Sequence, residues 1–278
     1  MPDTMISTEE TKDFTAFYIP ESTYKKISSQ QGLRRYIKER LALAFRFFAA
    51  HGMEEGASGH LTVRDCIDSN TFWVNPFGVP FEMMTASDLL RIDHSGRIVE
   101  GGKPDCQYYN SAAYVIHAAV HHARPDANAV CHSHSHYTKA FSAFGRKLDM
   151  ISQDACIFYN DHAVYDDFGG VVLKGEESAA IVDALKSNKA LFMVNHGALT
   201  VGETIESAAF WFYSLEKQCQ VQLTIDSAST GRGWKPRIIS TDSAQFTYDN
   251  TADEDSGRFE GECLFKSVEY RCNSAHKE

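Results

Sequence analysis

Apolar residues recur along the chain with two different periods, and these periods predict its helices and strands. Between Leu33 and Ala50 they recur at helical spacing, and His51-Gly52 is a typical helix end. The same spacing predicts further helices over residues 111–123, 137–145, 176–187 and 203–226. Alternation or a short apolar run predicts strands over residues 57–64, 72–74, 89–92, 98–99, 128–134 and 190–194, and residues 198–201 are predicted to continue the last of these strands. The mixture of the two kinds of element indicates an α/β fold.

The two ends of the chain lack this regular pattern. Residues 1–30 are polar and irregular, and we predict an N-terminal arm there. Residues 227–278 are rich in Ser, Thr, Gly and Asp, which predicts an extended C-terminal extension with at most one terminal element. Residues 31–226 then form a single domain, in which 149–170 is predicted as short strands separated by polar turns.

Composition excludes several classes of partner. The formal net charge of −10 argues against nucleic acid and against an anionic membrane surface, because both require clustered Lys and Arg. No basic-then-apolar leader begins the chain, and no apolar run approaches the ~18 residues of a membrane span. The seven cysteines include no C-x-x-C pair, which favours a reducing compartment. We expect a soluble, cytoplasmic protein that acts on a small molecule.

The stretch from Asn128 to His136, N-A-V-C-H-S-H-S-H, carries the candidate chemistry. Alternate residues of a strand share a face and lie about 6.5–7 Å apart, so His132 and His134 can converge on one ion. His196 follows a buried strand in the turn N-H-G and is the candidate third ligand, because three histidines match a catalytic zinc-type site. Ser135 can cap the next helix, which makes His136 a helix-start residue or a proton carrier.

The remaining histidines receive other interpretations. His117 lies on the buried face of its helix and is predicted to be a hydrogen-bonded core residue. His121 and His122 are predicted at the surface. His162 belongs to a polar cluster with Tyr159 and Asp161, for which a substrate role and a subunit interface are both open.

Several of these motifs together resemble the class II aldolase/adducin family. The resemblance rests on A-R-P-D-A-N-A-V-C-H-S-H at 123–134 followed by N-H-G at 195–197. It extends through the turn at Gly59-His60, N-P-F-G at 75–78 and T-V-G-E-T at 200–204, and covers about residues 33–226.

The resemblance implies a three-layer α/β/α sandwich with a largely antiparallel central sheet, assembled as a homotetramer with active sites at subunit interfaces. It also implies a divalent metal ion, typically zinc, on the residues matching His132, His134 and His196. In the sugar-phosphate members, loops matching Gly59-His60, Phe77-Gly78 and Ser111-Ala112 hold the substrate phosphate. Asn195 is a further candidate for binding substrate.

The sequence departs from the sugar-phosphate aldolases at two catalytic positions. By ungapped counting their glutamate base falls on Ala113, which can neither remove a proton nor ligate a metal, and their tyrosine acid falls on Gln153. His60 replaces a small amide residue, which weakens the case for a phosphate. N-S-A-A-Y at 110–114 is more similar to the adducin branch and to a group of fungal proteins, although this chain retains the metal histidines.

We therefore expect a metal-dependent lyase that cleaves a carbon–carbon bond in a small oxo or hydroxy acid, by decarboxylation or a retro-aldol step. Three neutral ligands leave the cation its double charge and favour an anionic chelator. Gln153, His136 and Asp154 are the candidates for handling the substrate, and zinc, iron(II) or manganese can occupy the site. Two alternatives stay open: an iron oxygenase that decarboxylates a small organic acid oxidatively, with Asp154 or Asp161 completing an iron site, and a non-catalytic adducin-like scaffold.

Overall fold

A computed structural model describes residues 19–170 and 175–278 of the chain. The strands of these two ranges are β1 (His60–Arg64), β2 (Thr71–Val74), β3 (Leu90–Asp93), β4 (Ile98–Gly101), β5 (Ala129–Ser133), β6 (His162–Tyr165), β7 (Ala190–Met193) and β8 (Gly197–Gly202). The helices are α1 (Thr23–Lys26), α2 (Gln30–Ala50), α3 (Ser111–Ala123), α4 (His136–Ser142), α5 (Gly175–Leu185), α6 (Ile205–Arg232), α7 (Thr241–Thr251) and α8 (Glu254–Arg271). None of the helices within the described ranges is long and apolar enough to cross a membrane.

The strands form one eight-stranded sheet in the order β4-β3-β2-β1-β5-β8-β7-β6. Every neighbouring pair is antiparallel except β6 and β7, which run parallel, so the prediction of an α/β fold with a largely antiparallel sheet is confirmed. Strand β5 lies in the middle of the sheet, between β1 and β8. Strands β5 and β8 are far apart in the sequence, and their pairing brings two of the candidate motifs to one place in the sheet.

The sheet separates two hydrophobic clusters according to the alternation of its side chains. Ala129 and Cys131 of β5 join a cluster that includes residues of α2 and α6. Val130, between them, joins a second cluster with residues of α3 and α5. His132 has the same parity as Val130, so its side chain points toward the α3 side of the sheet.

The prediction for residues 227–278 as an extended tail is wrong. Helix α6 continues to Arg232, and α7 and α8 follow as further helices. Phe265 and Val268 of α8 are buried in the same cluster as the core of α6. The apolar pattern is weak because α8 packs closely through glycines: a Cβ on Gly261 would lie only 2.3 Å from the carbonyl oxygen of Glu206.

Two further predictions need correction. Residues 154–158 form a 3-10 helix, and not a strand, although the four consecutive residues from Ala155 to Phe158 are all buried, as in a strand covered on both faces. Residues 198–201 do not prolong the preceding strand: the chain reverses at residues 194–196, and β7 and β8 pair as an antiparallel hairpin.

A buried ion pair joins the N-terminal helices to α6. Glu206 is fully buried and accepts hydrogen bonds from Arg40 Nε at 2.5 Å and from the Tyr24 hydroxyl at 2.6 Å. Arg40 also lies over the ring of Phe265. This cluster fixes α1, α2 and α8 around the start of α6.

Candidate metal centre

Three imidazoles meet where β5 ends and the β7–β8 turn begins. One ring nitrogen from each of His132, His134 and His196 lies within 4.8 Å of the other two. Their ring centroids are 4.7–5.1 Å apart, and the ring planes are steeply inclined to one another. Three nitrogens converging from inclined rings are a suitable donor set for one divalent cation.

A backbone hydrogen bond fixes the orientation of His132. Its Nδ1 lies 2.9 Å from the carbonyl oxygen of Ala198, and since a carbonyl can only accept, Nδ1 carries the proton. The lone pair of this neutral ring is therefore on Nε2, and a hydrogen bond of this kind is the usual support of a histidine ligand. Burial lowers the pKa of His132 well below its ordinary value, and the neighbouring His196 and His134 lower it further.

The turn that carries His196 depends on two unusual backbone conformations. Asn195 has φ 58°, and Gly197 has φ 156°. A Cβ on Gly197 would lie 2.7 Å from the carbonyl oxygen of Ser133, so only glycine allows β8 to start this close to β5. Burial lowers the pKa of His196 to about 4, with a further contribution from His134. The ring is neutral at physiological pH and available as a ligand.

A second group of histidines lies beside the triad, beneath α3. His60 is the cross-strand partner of His132, and its ring stacks at a centroid distance of 6.4 Å. His117 contacts His60 edge to face, at 6.1 Å between centroids. The Thr62 hydroxyl links His117 Nδ1 and His121 Nε2, at 2.7 and 2.8 Å. The prediction of a hydrogen-bonded, buried His117 is confirmed, whereas His121 is also buried and the surface prediction for it is wrong.

Chain direction changes immediately after His134. Ser135 occupies the N-cap position of α4 as predicted, although the helix begins at His136 and its N-cap side chain does not bond a backbone N–H of the first turn. Those N–H groups are satisfied by the carboxylate of Glu216 on α6, which accepts from Tyr137 N at 3.0 Å and Thr138 N at 2.8 Å. The strand therefore does not continue to His136, which is exposed.

The triad opens into a cavity of about 360 Å³. Its lining combines the histidines with amides, one lysine and apolar groups: Ser58, Gly59, His60, Asn110, Ala112, Ile116, His132, His134, Lys139, Phe168, Gly170, Asn195 and His196. None of the described lining residues is an aspartate or a glutamate. Lys139 is held at the side of the cavity by Glu55, at 2.7 Å. The cavity therefore combines neutral metal ligands with one positively charged side chain, Lys139, which favours binding of an anionic small molecule.

The structure brings only some of the predicted substrate residues into this cavity. Gly59, His60 and Asn195 line it, whereas Phe77, Gly78 and Ser111 are not among its lining residues. Gln153 and Asp154 line a different cavity, of about 720 Å³, between the 3-10 helix and helices α6–α8. Gln153 and Asp154 therefore do not reach the cavity of the histidines within one chain. Ungapped counting identifies a position in the sequence, but it does not predict on which side of the domain that position lies.

Lys139, Asn110 and Phe168 also line the cavity, and the sequence pattern does not predict that they do. Lys139 follows His134 by five residues and lies on a predicted helix, and this short separation is the signal in the sequence for its proximity to the histidines. Phe168 reaches the cavity from a loop, and only the fold connects that loop to the histidines.

The chain matches one protein family and is similar in sequence to two bacterial proteins. Residues 39–223 match the family described as class II aldolase and adducin N-terminal domain. The decarboxylase NovR of Streptomyces niveus is 44% identical over 216 residues, which are 77% of this chain and 77% of that protein. The 4-hydroxy-3-prenylphenylpyruvate oxygenase/4-hydroxy-3-prenylbenzoate synthase of Streptomyces roseochromogenus subsp. oscitans is 45% identical over 197 residues, 70% of each chain.

Solved structures are similar over almost the whole chain. The L-fuculose 1-phosphate aldolase from Glaciozyma antarctica PI12 is 40% identical, with a TM-score of 0.84. The similarity covers 93% of this chain and 97% of that one. The structural similarity therefore covers more of the chain than the family match over residues 39–223.

Proposed function

The chain belongs to the class II aldolase and adducin family, and we propose that it is a metal-dependent lyase acting on a small oxo or hydroxy acid. The proposed reaction is cleavage of a carbon–carbon bond, by decarboxylation or by a retro-aldol step. His132, His134 and His196 would hold the ion, with zinc as the first candidate and manganese or iron(II) as the alternatives.

The observation that carries this proposal is the donor set of the cavity. Three neutral imidazoles converge there, and the described residues of the lining include no carboxylate. A cavity of this kind provides no carboxylate base to remove a proton from carbon at the start of the reaction. When bound, a divalent cation would supply Lewis acidity toward chelating carbonyl and carboxylate oxygens. This chemistry suits a substrate whose carbon–carbon bond breaks with its electron pair passing into an adjacent carbonyl.

The residues of the chain have separate parts in this proposal. Lys139 would pair with a substrate carboxylate, in competition with Glu55. Burial lowers the pKa of His60 to about 3, so His60 would act as a neutral hydrogen-bonding group and not as a base. Asn195 would bind a substrate oxygen through its amide, and Phe168 with Ile116 would contact an apolar substituent.

The two similar bacterial proteins support two versions of the reaction. One is named a decarboxylase, which agrees with the lyase. The other is named an oxygenase that acts on a prenylated hydroxyphenylpyruvate. An oxidative decarboxylation of an aryl oxo acid, with iron(II) on the three histidines and dioxygen as the oxidant, is therefore the second candidate function.

The assembly is also part of the proposal. We expect a homotetramer of three-layer α/β/α domains, each spanning residues 31–226 and followed by the C-terminal extension at 227–278; most of the N-terminal arm predicted for residues 1–30 lies outside the described residues. Gln153, Asp154 and His136 do not line the cavity of their own chain, so a role in handling substrate would require contact across a subunit interface of this tetramer.

The experiment compares metals and oxygen on one set of substrates. The metal-free protein is loaded in turn with zinc, manganese or iron(II), and each form is incubated with 2-oxo, 3-oxo and 2-hydroxy acids that carry aryl or alkyl groups. Carbon dioxide and carbonyl products are measured with and without dioxygen. The lyase predicts metal-dependent product release under anaerobic conditions, which the His134→Ala variant should lack.

Other outcomes would contradict this proposal in different ways. Release of carbon dioxide only with iron and dioxygen selects the oxygenase. A purified protein that retains no stoichiometric metal, and that gives no product with any added metal, would favour the non-catalytic scaffold.

A further inference from the structure

Helix α4 determines where two residues of the cavity lie. His134 precedes the first residue of the helix by two positions, and Lys139 lies within the helix. Both side chains line the cavity. A displacement of α4 would move His134 and Lys139 together, so the group that holds α4 in place also controls the geometry of the cavity.

The group that holds α4 is a carboxylate of another helix. Glu216 of α6 is buried, with 6% of its surface exposed. Its Oε1 accepts from Tyr137 N at 3.0 Å, and its Oε2 accepts from Thr138 N at 2.8 Å. The Ser135 hydroxyl donates to Oε2 at 2.6 Å. A negative charge at a helix N-terminus, with hydrogen bonds from its free N–H groups, is a stabilising arrangement.

Helix α6 is a rigid base for this contact. Its neighbouring residues Phe212, Leu215 and Cys219 are fully buried in the main hydrophobic cluster. One turn after Glu216, Gln220 donates through Nε2 to the Tyr137 hydroxyl at 3.0 Å. Two successive turns of α6 therefore bond to the start of α4.

We infer that Glu216 is a positioning residue for the candidate metal centre. Glu216 is not among the described residues that line the cavity. It therefore acts through the Ser135 hydroxyl and the backbone N–H groups of Tyr137 and Thr138, and not by contact with an ion or substrate. It fixes the direction in which the chain leaves His134 and the side on which Lys139 enters. This inference rests on the proposed function, because it assumes that the three histidines bind an ion.

Helix α6 also provides a matched control. Glu206 is a second buried carboxylate of the same helix, but its hydrogen bonds are with Arg40 and Tyr24 of α2 and α1. Glu216→Gln and Glu206→Gln both replace a buried carboxylate by an amide of the same shape. In Glu216→Gln one acceptor oxygen becomes a donor that faces a backbone N–H group. In Glu206→Gln the amide can accept from Arg40 and donate to the Tyr24 hydroxyl, but the negative charge that pairs with Arg40 is lost.

The experiment measures the zinc affinity of wild type and both variants by competition with a chromophoric chelator. It also measures amide hydrogen exchange of Tyr137 and Thr138 in the metal-free proteins. Glu216→Gln should weaken zinc binding about 10- to 100-fold, as is typical for residues that support a metal ligand, and should speed exchange at both amides. Glu206→Gln should lower the thermal midpoint while its zinc Kd stays at the wild-type value.

Two results would overturn the inference. The first is a Glu216→Gln variant that exchanges faster at both amides yet binds zinc as tightly as wild type. The second is an equal loss of zinc affinity in both variants, which would indicate a general effect of stability.

Should Glu216→Gln not fold, Ser135→Ala is the substitute variant. It removes one of the three hydrogen bonds to Glu216 and should weaken zinc binding by a smaller factor; an unchanged Kd in Ser135→Ala contradicts the inference. Wild-type protein that binds no zinc, manganese or iron(II) would instead remove the proposed function and this inference with it.

Discussion

Thr62 and His117 are joined by a hydrogen bond of 2.7 Å, and the same hydroxyl lies 2.8 Å from His121 Nε2. A hydroxyl has one proton, so it can donate to only one of the two rings and must accept from the other. The two neutral histidines therefore have their donor and acceptor roles set by a single threonine. Burial lowers the pKa of His121 to about 3, which keeps that ring neutral.

Replacing Thr62 by Val should destabilise the protein, although the two side chains have almost the same shape. The variant leaves one nitrogen of His117 and one of His121 buried without a partner, at a cost of roughly 1–3 kcal/mol for each. Thr62→Ser retains the hydroxyl and should lose much less. Urea denaturation of both variants measures the difference, and equal free energies of unfolding would show that the hydroxyl bridge does not contribute.

His162 should make stability depend on pH. Nδ1 of His162 lies 2.6 Å from the Phe158 carbonyl oxygen and must donate to it. Nε2 accepts from Leu148 N at 3.0 Å, so the His162 ring is neutral in the folded protein. Burial lowers its pKa to about 4. In the unfolded chain His162 takes up a proton below its ordinary pKa of about 6.5, whereas in the folded chain it stays neutral down to about pH 4. The contribution of the neutral His162 to the free energy of unfolding is therefore complete above about pH 6.5. It is lost as the pH falls toward 4, by about 1.4 kcal/mol per pH unit.

The test compares wild type with His162→Gln, both metal-free, in urea titrations between pH 7 and pH 4. Glutamine can donate to Phe158 and accept from Leu148, but it does not titrate. The variant should be less stable at pH 7 and should take up about one proton fewer on unfolding at pH 5. The same pH slope in both proteins would contradict the assignment.

Gly261 should be essential for the contact between α8 and α6. A Cβ there would lie 2.3 Å from the backbone oxygen of Glu206 and 2.7 Å from its carbonyl carbon, and backbone atoms cannot move aside as a flexible side chain can. We expect Gly261→Ala to lower the free energy of unfolding by about 1–3 kcal/mol or more.

Gly231, on α6, provides the control because a Cβ there would meet no atom within 4 Å. Gly231→Ala should be neutral or should stabilise the protein by up to about 1 kcal/mol. Similar effects of the two substitutions would mean that α8 is not packed against α6 as described.

How far the sequence predicts the fold depends on how each element is buried. The helix over 111–123 is predicted to the residue, because one face carries a regular series of apolar side chains. Helix α8 is missed because its buried face includes Gly257 and Gly261, which carry no hydrophobic signal. The 3-10 helix of residues 154–158 is missed for the opposite reason, since four consecutive buried residues have the pattern of a strand.

The candidate site shows the same division between local and distant information. Strand alternation, which is visible in the sequence, predicts that His132 and His134 lie together, and they do, although β5 ends at Ser133 and His134 follows it. Their meeting with His196 depends on β5 lying beside β8, a pairing between segments more than 60 residues apart that no local pattern specifies. The role of Glu216 is less visible still, because it acts from a helix about 80 residues away through backbone N–H groups.

Metal content of single-histidine variants tests the central claim most directly. The purified proteins are loaded with zinc, passed through a desalting column and analysed for metal per chain. His136 is the natural control, since it belongs to the same H-S-H-S-H stretch but lies exposed at the start of α4. Wild type and His136→Ala should each retain one ion per chain, and His134→Ala and His196→Ala should retain none. A full complement of metal in His196→Ala would contradict the three-histidine centre.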